Sequence, residues 1–160
     1  MFFSEEKNQK TFESAQAYGY GHWPRGGSGG ASMDEVYDGS CHCGRVKFRV
    51  TADLDTVSYC NCSICAKKGF LHLIVEKAQF QLLAGESELA WYTFNTRVAK
   101  HTFCKTCGIH AFYTPRSHPD KIDVNARCLD GIDPAALRPY VFDGRNWEAA
   151  METWPLNRPE

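Results

Sequence analysis

The sequence lacks any long hydrophobic run: no apolar stretch approaches the length that crosses a bilayer, so no membrane-spanning helix is expected. It lacks a dominant charge as well, with 18 Lys and Arg against 19 Asp and Glu. Bulk charge therefore gives no reason to expect nucleic acid or an anionic membrane surface as a partner. The opening Met1-Phe2-Phe3-Ser4-Glu5-Glu6 lacks the basic and apolar regions of a secretory signal. The expected location is thus a reducing compartment, cytoplasmic or nuclear. No internal repeat is evident. At 160 residues there is room for one domain and a tail, but not for a second full core.

What is present suffices for a packed interior, since 43% of residues are apolar and 13% aromatic. Residues 1–33 read as a flexible glycine-rich tail, because residues 18–30 carry repeated glycines without apolar periodicity. Lys7, Lys10 and Arg25 balance Glu5, Glu6 and Glu13, so the tail is no basic arm. The domain is expected over 34–160. From Val36 onward short β-type segments dominate. In 45–50 the alternation puts Val46, Phe48 and Val50 on one face and the cations on the other. Further strands are predicted over 70–75, 80–83, 89–94, 99–103, 110–113 and 122–125. Gly, Asn, Asp and Pro separate several of them, as a meander of antiparallel strands requires. Asp133-Pro134 suits a capped turn, and Trp147 to Trp154 a short terminal helix stopped by Pro155. The class is mainly β, with short helical segments near the C-terminus.

Eight cysteines stand against this background, and their spacing decides their use. In a reduced chain, clustered cysteines more often hold metal or do chemistry than form disulfides. Cys104-Lys105-Thr106-Cys107-Gly108 has the form of a zinc knuckle: a tight turn brings both thiolates to one ion, and the glycine can adopt positive φ. Cys41-His42-Cys43-Gly44 is the natural second pair, provided a strand end or bulge lets residues two apart converge. These four would form a structural zinc clasp across the core. Cys60, Cys62 and Cys65 offer three thiolates from one short loop, the protein-ligand count of a catalytic zinc with an open position. Alternatives stand beside that reading. Cys128, His72, His101 or His110 could close the second site, or the loop could carry redox thiols without metal.

The runs from Gly39 to Gly44, Cys60 to Cys65 and Phe103 to Gly108 resemble the glutathione-dependent formaldehyde-activating enzymes. Tyr92 to Asn95, His101 to Cys104, Phe112 to Ser117 and Cys128 to Asp130 resemble the animal branch named for centromere protein V. The likeness runs from about Tyr37 to about Met151. It implies a β-tent fold of the carbon–sulfur lyase type, antiparallel sheets clasped by zinc. It also implies two zinc ions: a structural one on Cys41, Cys43, Cys104 and Cys107, and a catalytic one on Cys60, Cys62 and Cys65. The implied activity joins glutathione, as thiol co-substrate, to formaldehyde, giving S-hydroxymethylglutathione, or cleaves that small-molecule adduct. The alternative is a non-enzymatic zinc-binding interaction module. In the centromere protein V branch, microtubule and chromatin association resembles a property of a long basic N-terminal extension. The short neutral tail here supports such association weakly.

Three further sets of residues follow from this chemistry. Lys67, Lys68, Arg97 or Arg116 could meet the glutathione carboxylates, and His72 or His101 could shuttle protons, although a solvated surface cation and an ordinary packed or exposed histidine are the favoured readings. Trp91, Tyr92, Phe94 and Phe112 read most simply as core.

Overall fold

Alternation and turn chemistry produce a mainly β chain, and the computed structural model describes residues 34–157 of it. The segment expected as a tail, residues 1–33, lies outside the described residues. The strands in chain order are β1 (Glu35–Ser40), β2 (Lys47–Ala52), β3 (Ser58–Cys60), β4 (Leu71–Val75) and β5 (Phe80–Ala84). They continue with β6 (Leu89–Tyr92), β7 (His101–Cys104), β8 (Phe112–Tyr113), β9 (Ile122–Asn125) and β10 (Tyr140–Phe142). Helix α1 (Ser63–Lys68) lies between β3 and β4, and α2 (Trp147–Asn157) follows β10.

Three sheets result, antiparallel except for one pair. The first sheet runs β1-β2-β5, the second β10-β3-β4-β9-β8, and β6 pairs with β7 alone. The predicted alternation in 45–50 is seen directly: Phe48 and Val50 are fully buried, while Lys47 and Arg49 point to water. Phe48 stacks on Phe80 at 5.7 Å and meets Phe112 edge-on at 5.9 Å, so the core sits between the first and second sheets. Leu73 of β4 and Val124 of β9 close it from the second sheet, both fully buried. Burying each such side chain stabilises by about 1.5–3 kcal/mol.

The second sheet has two unlike faces, and this positions everything that follows. Period-two alternation turns Leu71, Leu73, Val75, Phe112 and Val124 to the core. The same alternation turns Ser58, Cys60, His72, Ile74, Tyr113 and Asp123 to a cavity on the other side.

Three expectations are corrected here. The strands do not form a simple meander: β4 pairs with β9, and β3 pairs with β10 in parallel, Phe142 opposite Cys60. A parallel pairing requires a long connection, and the chain supplies one of roughly eighty residues. Pro155 does not stop the last helix, which runs to Asn157. Its missing N–H leaves one carbonyl, that of Met151 four residues back, without its helical donor, a loss of a single bond in the last turns. Trp91, Tyr92 and Phe94 are not core: they are 69%, 53% and 39% exposed on β6 and the loop after it. A two-stranded sheet has few neighbours to pack against, so Trp91 and Tyr92, successive residues on opposite faces of β6, both stay in water. Phe112 is buried as expected.

Candidate functional site

The first cysteine cluster is made by two turns of the same design. Cys41 ends just after β1, where its N–H bonds the Val46 carbonyl at 3.0 Å; Cys104 ends β7, where its N–H bonds the Ile109 carbonyl at 3.0 Å. Gly44 and Gly108 follow the second cysteine of each pair, both at φ +73°, the left-handed region that glycine enters without strain. The strand end lets Cys41 and Cys43 converge, with sulfurs 3.5 Å apart, and Cys43 lies 3.7 Å from Cys104. These separations are far too long for a disulfide. They match the edge of a tetrahedron with Zn–S near 2.3 Å, about 3.8 Å. Val46 N–H points at the Cys41 sulfur at 3.3 Å. Cys107 is held at about 6: burial alone would raise it, but the Ile109 and Cys43 N–H groups and the neighbouring thiols outweigh that. The donor set fits a metal ion held as four thiolates.

The second cluster is built differently from the expected loop. Cys60 is the last residue of β3, Cys62 is the N-cap of α1, and Cys65 lies within that helix. One helical turn brings Cys62 and Cys65 together, and the strand end adds Cys60. The three sulfurs lie within 4.8 Å of one another. Thiol hydrogen bonds from Cys60 and Cys65, then the N–H groups of Cys65 and Ile64, pull Cys62 far below the usual thiol range. Cys60 and Cys65 are pushed up in return. Three thiols this close bias one another's ionisation, an arrangement that suits a divalent cation. Among the described residues no fourth Cys, His, Asp or Glu joins this group.

Cys128 does not close it. Burial raises its thiol to about 12, and the other charges acting on it are Cys41, Cys107 and Asp130, which puts it beside the first cluster. His72 and His101 feel the charge of Cys62 but stand outside the group of three sulfurs. His110 instead contacts Lys68, Nδ1 to Nζ 3.0 Å.

Asn61, between the first two thiols, fastens the chain over them. Its side chain donates to Asp143 at 2.9 Å and accepts from the Arg145 N–H at 3.0 Å. This sets Gly144 against the Cys60 sulfur so tightly that a Cβ would meet it, with Cys62 Cβ 2.9 Å away. The glycine is therefore required by the cluster, not by φ.

Cys60, Cys62 and Cys65 open on a cavity of about 450 Å³, within the range of small-molecule sites. Its floor is the polar face of the second sheet. His72 Nδ1 lies 2.7 Å from Asp123 Oδ2, and Asp123 also accepts the Leu73 N–H at 3.2 Å. Burial alone would lower His72, but the charge and hydrogen bond of Asp123 raise it. His101 is lowered to about 4 by burial and then by the Lys68 charge, which outweigh the raising charges of Cys62 and Asp123. One wall carries Phe94 and Asn95 from the loop after β6; another carries Phe142, Trp147 and Met151. That loop holds two non-glycine residues at positive φ, Asn95 at 51° and Arg97 at 59°, strain of a kind that clusters at functional sites.

Of the expected cations only Arg116 reaches the cavity. It is already engaged, lying 3.6 Å over the Trp147 ring and donating to Glu148 at 3.1 Å. Lys67, Lys68 and Arg97 are not among the cavity-lining residues, whereas Arg145, which sequence reasoning missed, is. Asp123 and Tyr113 were missed too. Polar alternation in Ile122-Asp123-Val124-Asn125 reads as a solvated strand face, and nothing local marks that face as a cavity floor.

Comparison with known proteins accords with this geometry. A solved structure of a Rhodobacter sphaeroides protein is similar, at 34% identity and TM-score 0.61, covering 65% of this chain and 97% of that one. The family model described as glutathione-dependent formaldehyde-activating enzyme matches residues 36–148, which takes in all three cysteine clusters. The chain belongs to the glutathione-dependent formaldehyde-activating enzyme family.

Proposed function

We propose that the chain is a zinc-dependent enzyme of carbon–sulfur lyase type that acts on glutathione–aldehyde adducts, forming or cleaving S-hydroxymethylglutathione. One observation carries the reading: three converging thiols, without a fourth ligand among the described residues, open on a cavity of small-molecule size. Cys41, Cys43, Cys104 and Cys107 would hold a structural zinc, and Cys60, Cys62 and Cys65 a second, catalytic one. Zinc at the second cluster would lower the pKa of an entering thiol and keep it as the nucleophilic thiolate. The protein's own residues do the rest. The apolar wall of Phe94, Phe142 and Trp147 excludes water, and Arg145 at the rim offers a cation to a glutathione carboxylate. Confinement beside the thiol replaces a bimolecular encounter with a positioned one. We read the protein as cytoplasmic or nuclear, with residues 34–160 as the working domain and 1–33 as its tail. No helix among the described residues is long and apolar enough to cross a membrane.

Exchange spectroscopy of glutathione and formaldehyde with the metal-replete protein tests the reading. Acceleration over buffer is the expected result, and its absence overturns the chemistry. A second experiment separates the clusters. Gly144→Ala pushes a methyl group into Cys60, and is expected to weaken metal uptake there by about 10- to 100-fold, as a disturbed ligand shell does. The four-thiolate site should be untouched. Titration with a chromophoric chelator should then show one tight ion and one loosened.

A second reading is favoured by a separate observation. Trp91, Tyr92, Phe94 and Val98 are all exposed on β6 and its loop, and exposed aromatic groups of this kind mark interaction surfaces. In that reading the chain is a zinc-binding interaction module of the centromere protein V type, associated with cytoskeleton or chromatin. A zinc-replete protein that leaves the exchange unaccelerated, yet cosediments with microtubules, would favour it.

A further inference from the structure

The cavity contains an acid–base pair that thiol activation leaves unused. His72 is 6% exposed, and its Nε2, like His101 Nδ1 and His110 Nε2, is buried without a hydrogen-bond partner among the described residues. Asp123 is 1% exposed, and a carboxylate so buried persists only where donors surround it. It has the His72 ring at 2.7 Å, the Leu73 N–H at 3.2 Å and a hydrogen bond with the Tyr113 hydroxyl. A structural tie between β4 and β9 would account for the Nδ1 bond. It would not account for a bare Nε2, since a polar atom left unpaired in a packed interior is costly and is retained chiefly where it has a task. With the carboxylate fixed on Nδ1, Nε2 becomes the atom that takes up and returns a proton, the logic of a base oriented by a third group.

A second feature joins this imidazole to solvent. A small polar recess of about 20 Å³, room for one water, is lined by Thr56, Ser58, His118, Lys121 and Tyr140 together with His72. His72 lines the main cavity as well. The ring therefore borders both spaces. His101, the other cavity imidazole, stacks flat on Tyr113 at 4.9 Å and lacks a carboxylate partner of this kind among the described residues.

We propose that His72, oriented by Asp123, is a catalytic residue of this site, carrying the proton that the thiol gives up and the new hydroxyl receives. The proposal rests on the thiol–aldehyde reading above. In the forward direction the S–H proton moves to Nε2. The S–C bond then forms as the carbonyl π pair moves onto oxygen, and the imidazolium returns the proton to that oxygen. In reverse, Nε2 takes the hydroxyl proton, the carbonyl re-forms, and the C–S bond breaks with its pair on sulfur, which is reprotonated. No other reactant is needed.

Several titratable groups face His72 and shape its pH response. Asp123 and Tyr113 come from β9 and β8, Cys62 from the start of α1, and His101 from β7; Lys121 and Tyr140 line the recess. The test is glutathione–formaldehyde exchange by the metal-replete full chain between about pH 5 and pH 8, where a histidine changes charge. His72→Asn is expected to lower the rate by about 100-fold or more. It should also flatten the limb in the histidine range, recover partly with added imidazole, and leave zinc content and the KM for glutathione little changed. Asp123→Asn removes the charge that raises His72, so its limb should move to lower pH. That displacement decides the matter alone if His72→Asn fails to fold. An unchanged rate and profile in His72→Asn overturns the proposal. So does a slower rate with the limb in place and no imidazole rescue, the signature of a structural role. A wild-type protein without acceleration removes the underlying reading and this proposal with it, whereas an active wild type beside an unaffected variant removes the proposal alone.

Discussion

Cys104→Ser is expected to leave the domain largely unfolded at ambient temperature, the largest stability effect of any single substitution considered for this chain. Cys104 ends β7 and is 1% exposed; Cys41, its counterpart after β1, is 2% exposed. The two turns they start lie on different sheets, β1 with β2 and β7 with β6. A metal ion on Cys41, Cys43, Cys104 and Cys107 would therefore fix the first sheet to the late hairpin, across about sixty residues of chain. Structural zinc supplies an apparent 10–16 kcal/mol at neutral pH, about the whole stability of an ordinary domain. A serine leaves three thiolates, a buried hydroxyl and an ion with an incomplete shell, so most of that energy is lost. Circular dichroism with a thermal melt, read beside bound zinc, measures it. A melting transition within a few degrees of wild type, with the full metal content, would overturn the clasp. A strong chelator should reproduce the variant on the unmodified protein, because the ligands have little reason to stay together once the ion is gone.

Parts of this architecture were legible in the sequence because they depend on local rules. Strict alternation read over 45–50 marks strand β2, which forms two residues later at Lys47–Ala52, and the two glycine-closed turns follow from cysteine spacing, since a left-handed glycine after a cysteine pair is a local requirement. Strand β9 emerges with its predicted bounds, 122–125. What escaped depends on distant partners. Strand β10 is three residues long and unremarkable until it pairs in parallel with β3, which brings Phe142 and Gly144 over Cys60. Helix α1 escaped because six residues holding one cysteine and one serine show no periodicity, although Gly69 at its left-handed C-cap is a readable stop signal. Asp123 was hidden by a pattern that fits solvent as well as a cavity. The position of Cys128 could not be read at all: spacing cannot tell which of two clusters a lone cysteine lies beside. The structure places it by the first, leaving the second with three thiols among the described residues.

Cys62→Ser is expected to give the opposite profile, a lost activity in a folded protein. Cys62 carries the negative charge of its cluster, held there by the thiols of Cys60 and Cys65 and by the N–H groups at the start of α1. A serine hydroxyl stays protonated under the same conditions and is a poor ligand for a thiolate-preferring ion. Loss of Lewis-acid activation costs several kcal/mol of barrier, on the order of 10³-fold in rate, so exchange should fall to the rate in buffer. Stability should follow a different course. Cys62 is the N-cap of α1, and serine is among the best N-cap residues. The new hydroxyl can take over the N–H groups of Ile64 and Cys65 that point at the Cys62 sulfur, and so offsets part of what the missing sulfur removes. The substitution also lies on the cavity side of the second sheet, away from Phe48, Leu73 and Val124. A melting temperature near that of wild type, one bound ion in place of two, and exchange at the buffer rate form the expected set. Exchange that persists in Cys62→Ser would remove the three-thiol cluster from the chemistry, while a collapse like that of Cys104→Ser would make both clusters structural. The two serine variants together thus separate an ion that holds the fold from one that acts on a substrate.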